Sequence, residues 1–247
     1  MNRIIFFAGL LALLVLNSCE KQSEEFSTPS IEDYAPMVVG KYITYQLDSF
    51  RYLPFSLKDT TITYQVKHAV DALITDNLGR PSYRIIRYIR KTSQNSWAPD
   101  NSFSAVITDN SLELVENNQR FLKLKLPIKN NFSWKGNTYI DTYSLNSTVR
   151  YLDDWDYVYE DLYKPYTLGS ITLPNTLKVN QRDEIIGNPA DPGSYSEKNF
   201  GMEIYAKGIG MVYRKFLHTE FQPATPGSPS SYMDGSYGIT LTMIDHN

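Results

Sequence analysis

The sequence predicts an all-β chain, on its periodicity, its turn spacing and its composition. From Tyr34 onward apolar and polar residues alternate instead of recurring at helical spacing. In Lys41-Tyr42-Ile43-Thr44-Tyr45-Gln46-Leu47-Asp48, for example, Ile43, Tyr45 and Leu47 share a face. Clusters of Gly, Pro, Asn and Asp punctuate the chain every ~8–15 residues, the spacing of antiparallel strands. The 19 tyrosines and 42% hydrophobic content suit half-buried strand positions and supply enough apolar surface for a core. A single antiparallel domain follows, built as a curved sheet or half-barrel or as a sandwich, with few short helices.

Taken in order, Thr61 to Ile74 reads as a long strand or bent pair, with Ile62, Tyr64, Val66, His68, Val70 and Ala72 on one side. Asn77-Leu78-Gly79-Arg80-Pro81 is a turn. Tyr83 to Ile89, Ser102 to Thr108, Ser111 to Glu116 and Arg120 to Leu126 follow as strands. Asp109-Asn110 and Asn117-Asn118 are short polar links of the hairpin kind. Pro127 to Gly136 is expected as a loop, Thr138 to Arg150 as a strand, and Leu173 to Val179 as a short strand around Pro174. Phe200 to Phe221 reads as a hairpin turning at Gly208-Ile209-Gly210, where glycine supplies positive φ without steric cost. Loops at Asn188 to Ser196 and Gln222 to Ser231 precede a closing strand, Gly238 to Ile244. Short helices are expected near Ile31 to Tyr34 or at Asp183-Glu184.

The N-terminus carries a different signal. Arg3 precedes an apolar run from Ile4 to Leu16, too short for a bilayer span of roughly 20 residues but matching a secretory h-region of ~7–15. Leu16-Asn17-Ser18-Cys19 places a small residue before the only cysteine in the chain. This resembles the lipobox of bacterial lipoproteins, which implies cleavage before Cys19 and lipidation of its side chain. Several acyl chains on one cysteine anchor firmly without a transmembrane helix. Residues 1–18 are then a signal peptide, 19–33 a lipidated tether and 34–247 the β domain. The tether is polar, with Ser27-Thr28-Pro29-Ser30 and little to bury. Its Cys19-Glu20-Lys21-Gln22-Ser23-Glu24-Glu25 start is similar to the acidic export signals of surface lipoproteins in Bacteroidota. An outer-membrane location follows from the resemblance, with the cell surface favoured over the periplasm.

Further phrases point the same way. The chain carries Ala35-Pro36-Met37-Val38-Val39-Gly40-Lys41-Tyr42, Leu126-Pro127-Ile128 with Trp134-Lys135-Gly136-Asn137, Tyr205-Ala206-Lys207-Gly208-Ile209-Gly210-Met211-Val212-Tyr213 and Tyr237-Gly238-Ile239-Thr240-Leu241. They resemble a family of uncharacterised Bacteroidota lipoproteins over nearly the whole chain after the signal. The departure lies after Tyr42, where Ile43 and Tyr45 replace the family's tryptophan pattern. The resemblance implies class and location and adds no site residues.

Composition and motifs exclude several functions. A net charge of −3 gives no electrostatic footing for nucleic acid. Gly208-Ile209-Gly210 lacks the third glycine and the following helix of a dinucleotide loop, and Gly40-Lys41 lacks the rest of a P-loop. His68, His218 and His246 form no H-E-x-x-H pair, and no G-x-S-x-G elbow occurs. No catalytic residue, metal ligand or cofactor is therefore assigned. Asp59-Thr60-Thr61 resembles a short O-glycosylation acceptor of Bacteroidota. The segment from Asp153 to Tyr166 combines acids with aromatics. Asp153, Asp154, Trp155, Asp156, Tyr157 and Tyr159 are the candidate ligand contacts, because rings can stack on a sugar while carboxylates bond its hydroxyls. The same oxygens could hold calcium, though the EF-hand glycine is missing. An edge strand with inward aromatics and solvated acids is the structural alternative. The expected role is non-catalytic binding or envelope work, with membrane attachment through Cys19 and a glycan, peptide or envelope protein as partner. A surface hydrolase of glycan or peptide and a periplasmic carrier of apolar ligands are the alternatives.

Overall fold

The computed structural model describes residues 29–54 and 56–247. The signal segment and Cys19 lie outside the described residues. The fold is all-β, a single antiparallel sheet that curls into a nearly closed barrel.

Helix α1 (Ile31–Tyr34) is a single turn. Ser30 caps it, its hydroxyl accepting from the Asp33 N–H while the Asp33 carboxylate accepts from the Ser30 N–H. Ile31 and Tyr34 are buried in the core, so residues assigned to the end of the tether belong to the folded body. The strands follow as a meander: β1 (Tyr42–Tyr52), β2 (Asp59–Thr75), β3 (Pro81–Arg90), β4 (Ala98–Ile107), β5 (Ser111–Glu116), β6 (Gln119–Lys125) and β7 (Ser133–Lys135). Then come β8 (Asp156–Leu168), β9 (Ile171–Gly187), β10 (Ser196–Ala206), β11 (Gly210–Gln222), β12 (Ser231–Tyr232) and β13 (Tyr237–His246). The spatial order is β6-β5-β4-β3-β2-β1-β13-β11-β10-β9-β8-β7, with β12 paired to β11. Sequence neighbours pair from β1 to β6 and from β7 to β12, β13 slots between β1 and β11, and β6 and β7 are left as the two edges of the sheet.

Local chemistry explains the turns. Asn117 and Asn118 both have positive φ, 50° and 62°, as the tight link between β5 and β6 requires, and asparagine tolerates that region. Gly208 at φ 78° and Gly210 at φ 118° make the expected turn between β10 and β11.

The structure corrects the sequence reading in four places. Residues 138–149 form no strand. Asp141 organises them into turns, accepting from the Tyr143 and Ser144 N–H groups and, through its carbonyl, from the Ser147 hydroxyl. Asp183-Glu184 lies inside β9, not in a helix. The short strand around Pro174 is the start of that 17-residue β9. Proline lacks an N–H, and the β8–β9 register shifts between Lys164 and Tyr166, opposite Pro174. The Pro127 to Gly136 loop contains β7, whose Trp134 is buried.

The barrel closes through side chains where the strands stop pairing. The free edge of β6 faces β7 and β8. Leu122 N–H donates to Gly136 O at 2.8 Å, and Trp134 Nε1–H donates to Leu122 O at 2.8 Å. The Tyr159 hydroxyl accepts from Lys125 N and donates to Lys125 O, both at 2.9 Å. An indole and a phenol thus serve as the missing neighbour of an edge strand, satisfying groups that would otherwise be left unpaired.

Candidate ligand site in the barrel lumen

The strands that line the lumen place charged residues opposite one another. Glu116 ends β5 and Lys123 lies in β6, while Glu203 and Arg214 face them from β10 and β11. Lys123 Nζ donates to Glu203 Oε1 at 2.6 Å, and Arg214 Nη1 donates to Glu116 Oε2 at 2.7 Å. Arg214 Nε lies 3.6 Å from Glu203 Oε1, linking the two pairs. Glu203 also accepts from the Tyr205 hydroxyl at 2.7 Å. Side chains from opposite walls therefore meet across the interior, with Lys123 and Glu203 only 3% and 0% exposed.

Burial and proximity set the ionisation of this cluster. Burial alone would raise the Glu116 carboxyl, but Arg214 and Lys123 outweigh it and hold the group down to about 2. Glu203 is likewise lowered, with Lys123 and Arg214 overcoming its desolvation. Burial dominates at Lys123 and lowers it, against the pull of Glu203. His68, on β2, is pushed down to about 3 by burial, with Arg87 and Arg214 adding to the effect and Glu116 opposing it. It is neutral at pH 7.

Above this floor the lumen holds a cavity of about 110 Å³. Its walls are apolar, with Val70, Ile85, Phe103, Leu112 and Met211 among them, and Glu116, Lys123, Glu203, Arg214 and His68 at its polar end. Two buried polar atoms here have no hydrogen-bond partner among the described residues, His68 Nε2 and Arg214 Nε. Pro36, Met37, Lys41, Tyr42 and Ile209 also line it and are partly exposed, so the cavity opens on this rim. That rim is tied in place: Gly208 N–H donates to Asp33 O at 2.7 Å, and Lys41 Nζ donates to Gly208 O at 2.8 Å.

The other end of the barrel carries a wider, open groove of about 580 Å³. His218 on β11 lines it, with its ring stacked on Tyr151 at 3.8 Å and its Nδ1 2.8 Å from Asn199 Oδ1. Burial lowers the His218 pKa, against the pull of Glu197. Asp153, Asp154, Glu184, Glu197 and Glu220 make the groove acidic, but many of its polar groups are spent on one another, as in Arg182–Glu184 at 2.5 Å. Phe216 lies between the two ends of β11, 6.0 Å from Trp155, so aromatic packing separates groove from lumen.

The segment singled out in the sequence is split by its own alternation. Trp155, Tyr157 and Tyr159 point inward and are 2%, 1% and 0% exposed. Their polar tips bond Tyr151 O, Asn137 Oδ1 and the Lys125 backbone. The acids face out: Asp154 and Asp156 pair with Lys135, and Glu160 pairs with Lys178. Asp153 accepts from the Thr142 hydroxyl at 2.6 Å. These rings offer no outward face for stacking a sugar; rings turned in and acids turned out are the pattern of the structural alternative, and β8 pairs with β9 but with the short β7 only over Asp156–Val158. Of the candidates, Asp153 and Asp154 reach the groove. Among the described residues no group of three or more His, Cys, Asp or Glu gathers as a metal site, and no helix is long and apolar enough to cross a membrane.

Comparison with protein-family models, curated proteins and solved structures finds no match for this chain. The lumen itself is then the strongest functional feature. Sequence reading missed its residues, although a signal existed. Lys123 in Phe121-Leu122-Lys123-Leu124 and Glu203 in Met202-Glu203-Ile204-Tyr205 are charges set inside apolar runs. Such charges are either solvated on an outer face or paired inside, and only the fold decides which.

Proposed function

We propose that this chain is a lipid-anchored outer-membrane lipoprotein whose barrel binds a small, largely apolar ligand without transforming it. The observation that carries the reading is the lumen cavity, apolar along its walls and open at one rim. Concave, mostly apolar sites with a few convergent polar groups are the usual form of a small-molecule site. The charges at its end are engaged in ion pairs, which favours holding a ligand over acting on one. Attachment through Cys19 rests on the lipobox resemblance and places the barrel in the envelope.

The test combines both parts. A panel of small apolar compounds should raise the Tm of the full chain, since a ligand that binds only the folded state stabilises it by mass action. Val70→Phe, which fills the lumen, should abolish that rise, and Cys19→Ala should move the protein out of the membrane fraction. A Tm unmoved by every compound, or moved equally in Val70→Phe, would overturn the lumen reading. A Cys19→Ala protein still in the membrane fraction would overturn the anchor.

The groove supports a second reading, a surface hydrolase or binder of glycan or peptide. Its support is His218, oriented by Asn199 and stacked on Tyr151 beside carboxylates. Turnover of a glycan or peptide that is lost in His218→Ala at unchanged Tm would move this reading ahead.

A further inference from the structure

We propose that the lumen takes a short amphipath with an uncharged hydrogen-bonding head, an alcohol or a simple amide, seated head-first against Glu116, Arg214 and His68. This rests on the lumen reading above and names the ligand's chemistry. Charge balance is the first argument. The floor holds Lys123 and Arg214 against Glu203 and Glu116, each cation bonded to a carboxylate. A carboxylate or ammonium head would enter as an additional, unmatched charge among buried groups. It would have to break an existing pair or stay unpaired, and either weakens binding.

Unspent hydrogen-bonding capacity is the second argument. Among the described residues Glu116 bonds Arg214 through Oε2 alone, His68 Nε2 has no hydrogen-bond partner, and Arg214 Nε has no hydrogen bond, only the 3.6 Å approach to Glu203 Oε1. Buried groups in this condition are costly to leave unmatched. A hydroxyl both donates and accepts, so it can bond a carboxylate oxygen and an imidazole or guanidinium nitrogen without altering the charge. A purely apolar ligand would leave these groups as they are.

Size and walls fix the remainder of the molecule. An engineered apolar cavity of about 150 Å³ accepts benzene. A cavity of about 110 Å³ therefore suits a head and about four or five carbons. Val70, Ile85, Phe103 and Leu112 flank that space, and Met37 and Ile209 line the way out for a longer tail.

The methionines give a direct readout. Met37 and Met211 line the lumen, whereas Met233 lines the groove at the other end. The full chain, labelled at the methionine methyls, is titrated with pentane, 1-pentanol, pentanoate and pentylammonium and followed by NMR. The expected result is that 1-pentanol shifts Met37 and Met211 but not Met233, with at least about tenfold tighter binding than either ion. Glu116→Gln leaves Arg214 uncompensated, so pentanoate should then gain on 1-pentanol. Tightest binding of pentanoate or pentylammonium by the native chain would overturn the uncharged head while leaving the lumen site standing. Equal binding of pentane and 1-pentanol would show that no head is recognised and would overturn the proposal in the same way. If no probe moves Met37 or Met211, the lumen reading itself fails.

Discussion

Lys123 and Glu203 show how a single buried charge commits the residues around it. Removing Lys123 leaves Glu203 charged and dry, with only the Tyr205 hydroxyl and the more distant Arg214 to offset it, which costs more than the pair was worth. Lys123→Met should therefore destabilise the chain by about 3–5 kcal/mol, whereas the double variant Lys123→Met, Glu203→Leu should recover most of that loss. Urea unfolding of the three proteins measures both effects. His68 makes a second residue-level case, through pH. Its folded pKa is depressed to about 3 from an ordinary 6.5, so the unfolded chain binds a proton that the folded chain refuses. The stability that His68 contributes is complete above pH 6.5 and is lost as pH falls toward 3. Glu116, held at about 2 against 4.5, acts in the same direction over a lower range. Stability should fall steadily from pH 7 to pH 4, and in His68→Phe the part of that slope between pH 6.5 and 4.5 should shrink. His218, whose pKa is also lowered, supplies what remains. A slope unchanged in His68→Phe would show that its ring is solvated.

At the scale of elements, β6 and β8 illustrate how a sheet closes without a complete ladder. Tyr159 bonds both the N–H and the carbonyl of Lys125 across the seam. Tyr159→Phe keeps the ring and its packing against Trp134 at 4.6 Å but deletes both bonds. The expected cost is about 1–3 kcal/mol, with faster amide hydrogen exchange at Lys125 and along β6 than along β2, which is paired on both sides. Exchange unchanged at Lys125 would mean that the seam is held by packing alone. Gly136, whose carbonyl accepts from Leu122 across the seam, has no room for a side chain. A Cβ there would sit 2.4 Å from the buried Tyr157 ring. The same seam explains why the acid–aromatic segment carries so many rings. They fill the interior and close the wall, while the acids on the opposite face pair with lysines of neighbouring strands.

In the whole molecule, the meander becomes a vessel because β13 returns to pair with β1, as in Leu47 against Leu241. That pairing unites the two ends of the meander in sequence, and the seam between β6 and β7 completes the wall. Arg214, Phe216 and His218 then lie along one strand as three layers, floor of the lumen, aromatic partition and groove. The lumen and the groove are thereby independent sites, and the methionine readout separates them.

Much of this fold was legible in the sequence. Period-two alternation marked β1 and β2, and strand-like runs between turn signals marked β5, β6, β11 and β13. Paired asparagines and glycines marked their turns, since turn chemistry is local. The stretch from Thr138 to Arg150 reads as a strand but forms none, because its β-favouring tyrosines and threonines answer to Asp141 and its local hydrogen bonds, which override weak propensity, and Arg150 opens a 3-10 turn. The site was much less legible. Alternation assigns a residue to one face of a strand, but it does not say whether that face meets water or another wall. Local pattern therefore specifies the class, most hairpins and the presence of charges within apolar strands. That Glu116, Lys123, Glu203 and Arg214 meet follows from the folded sheet alone, because they come from β5, β6, β10 and β11, and contact across a lumen depends on how far the sheet curls.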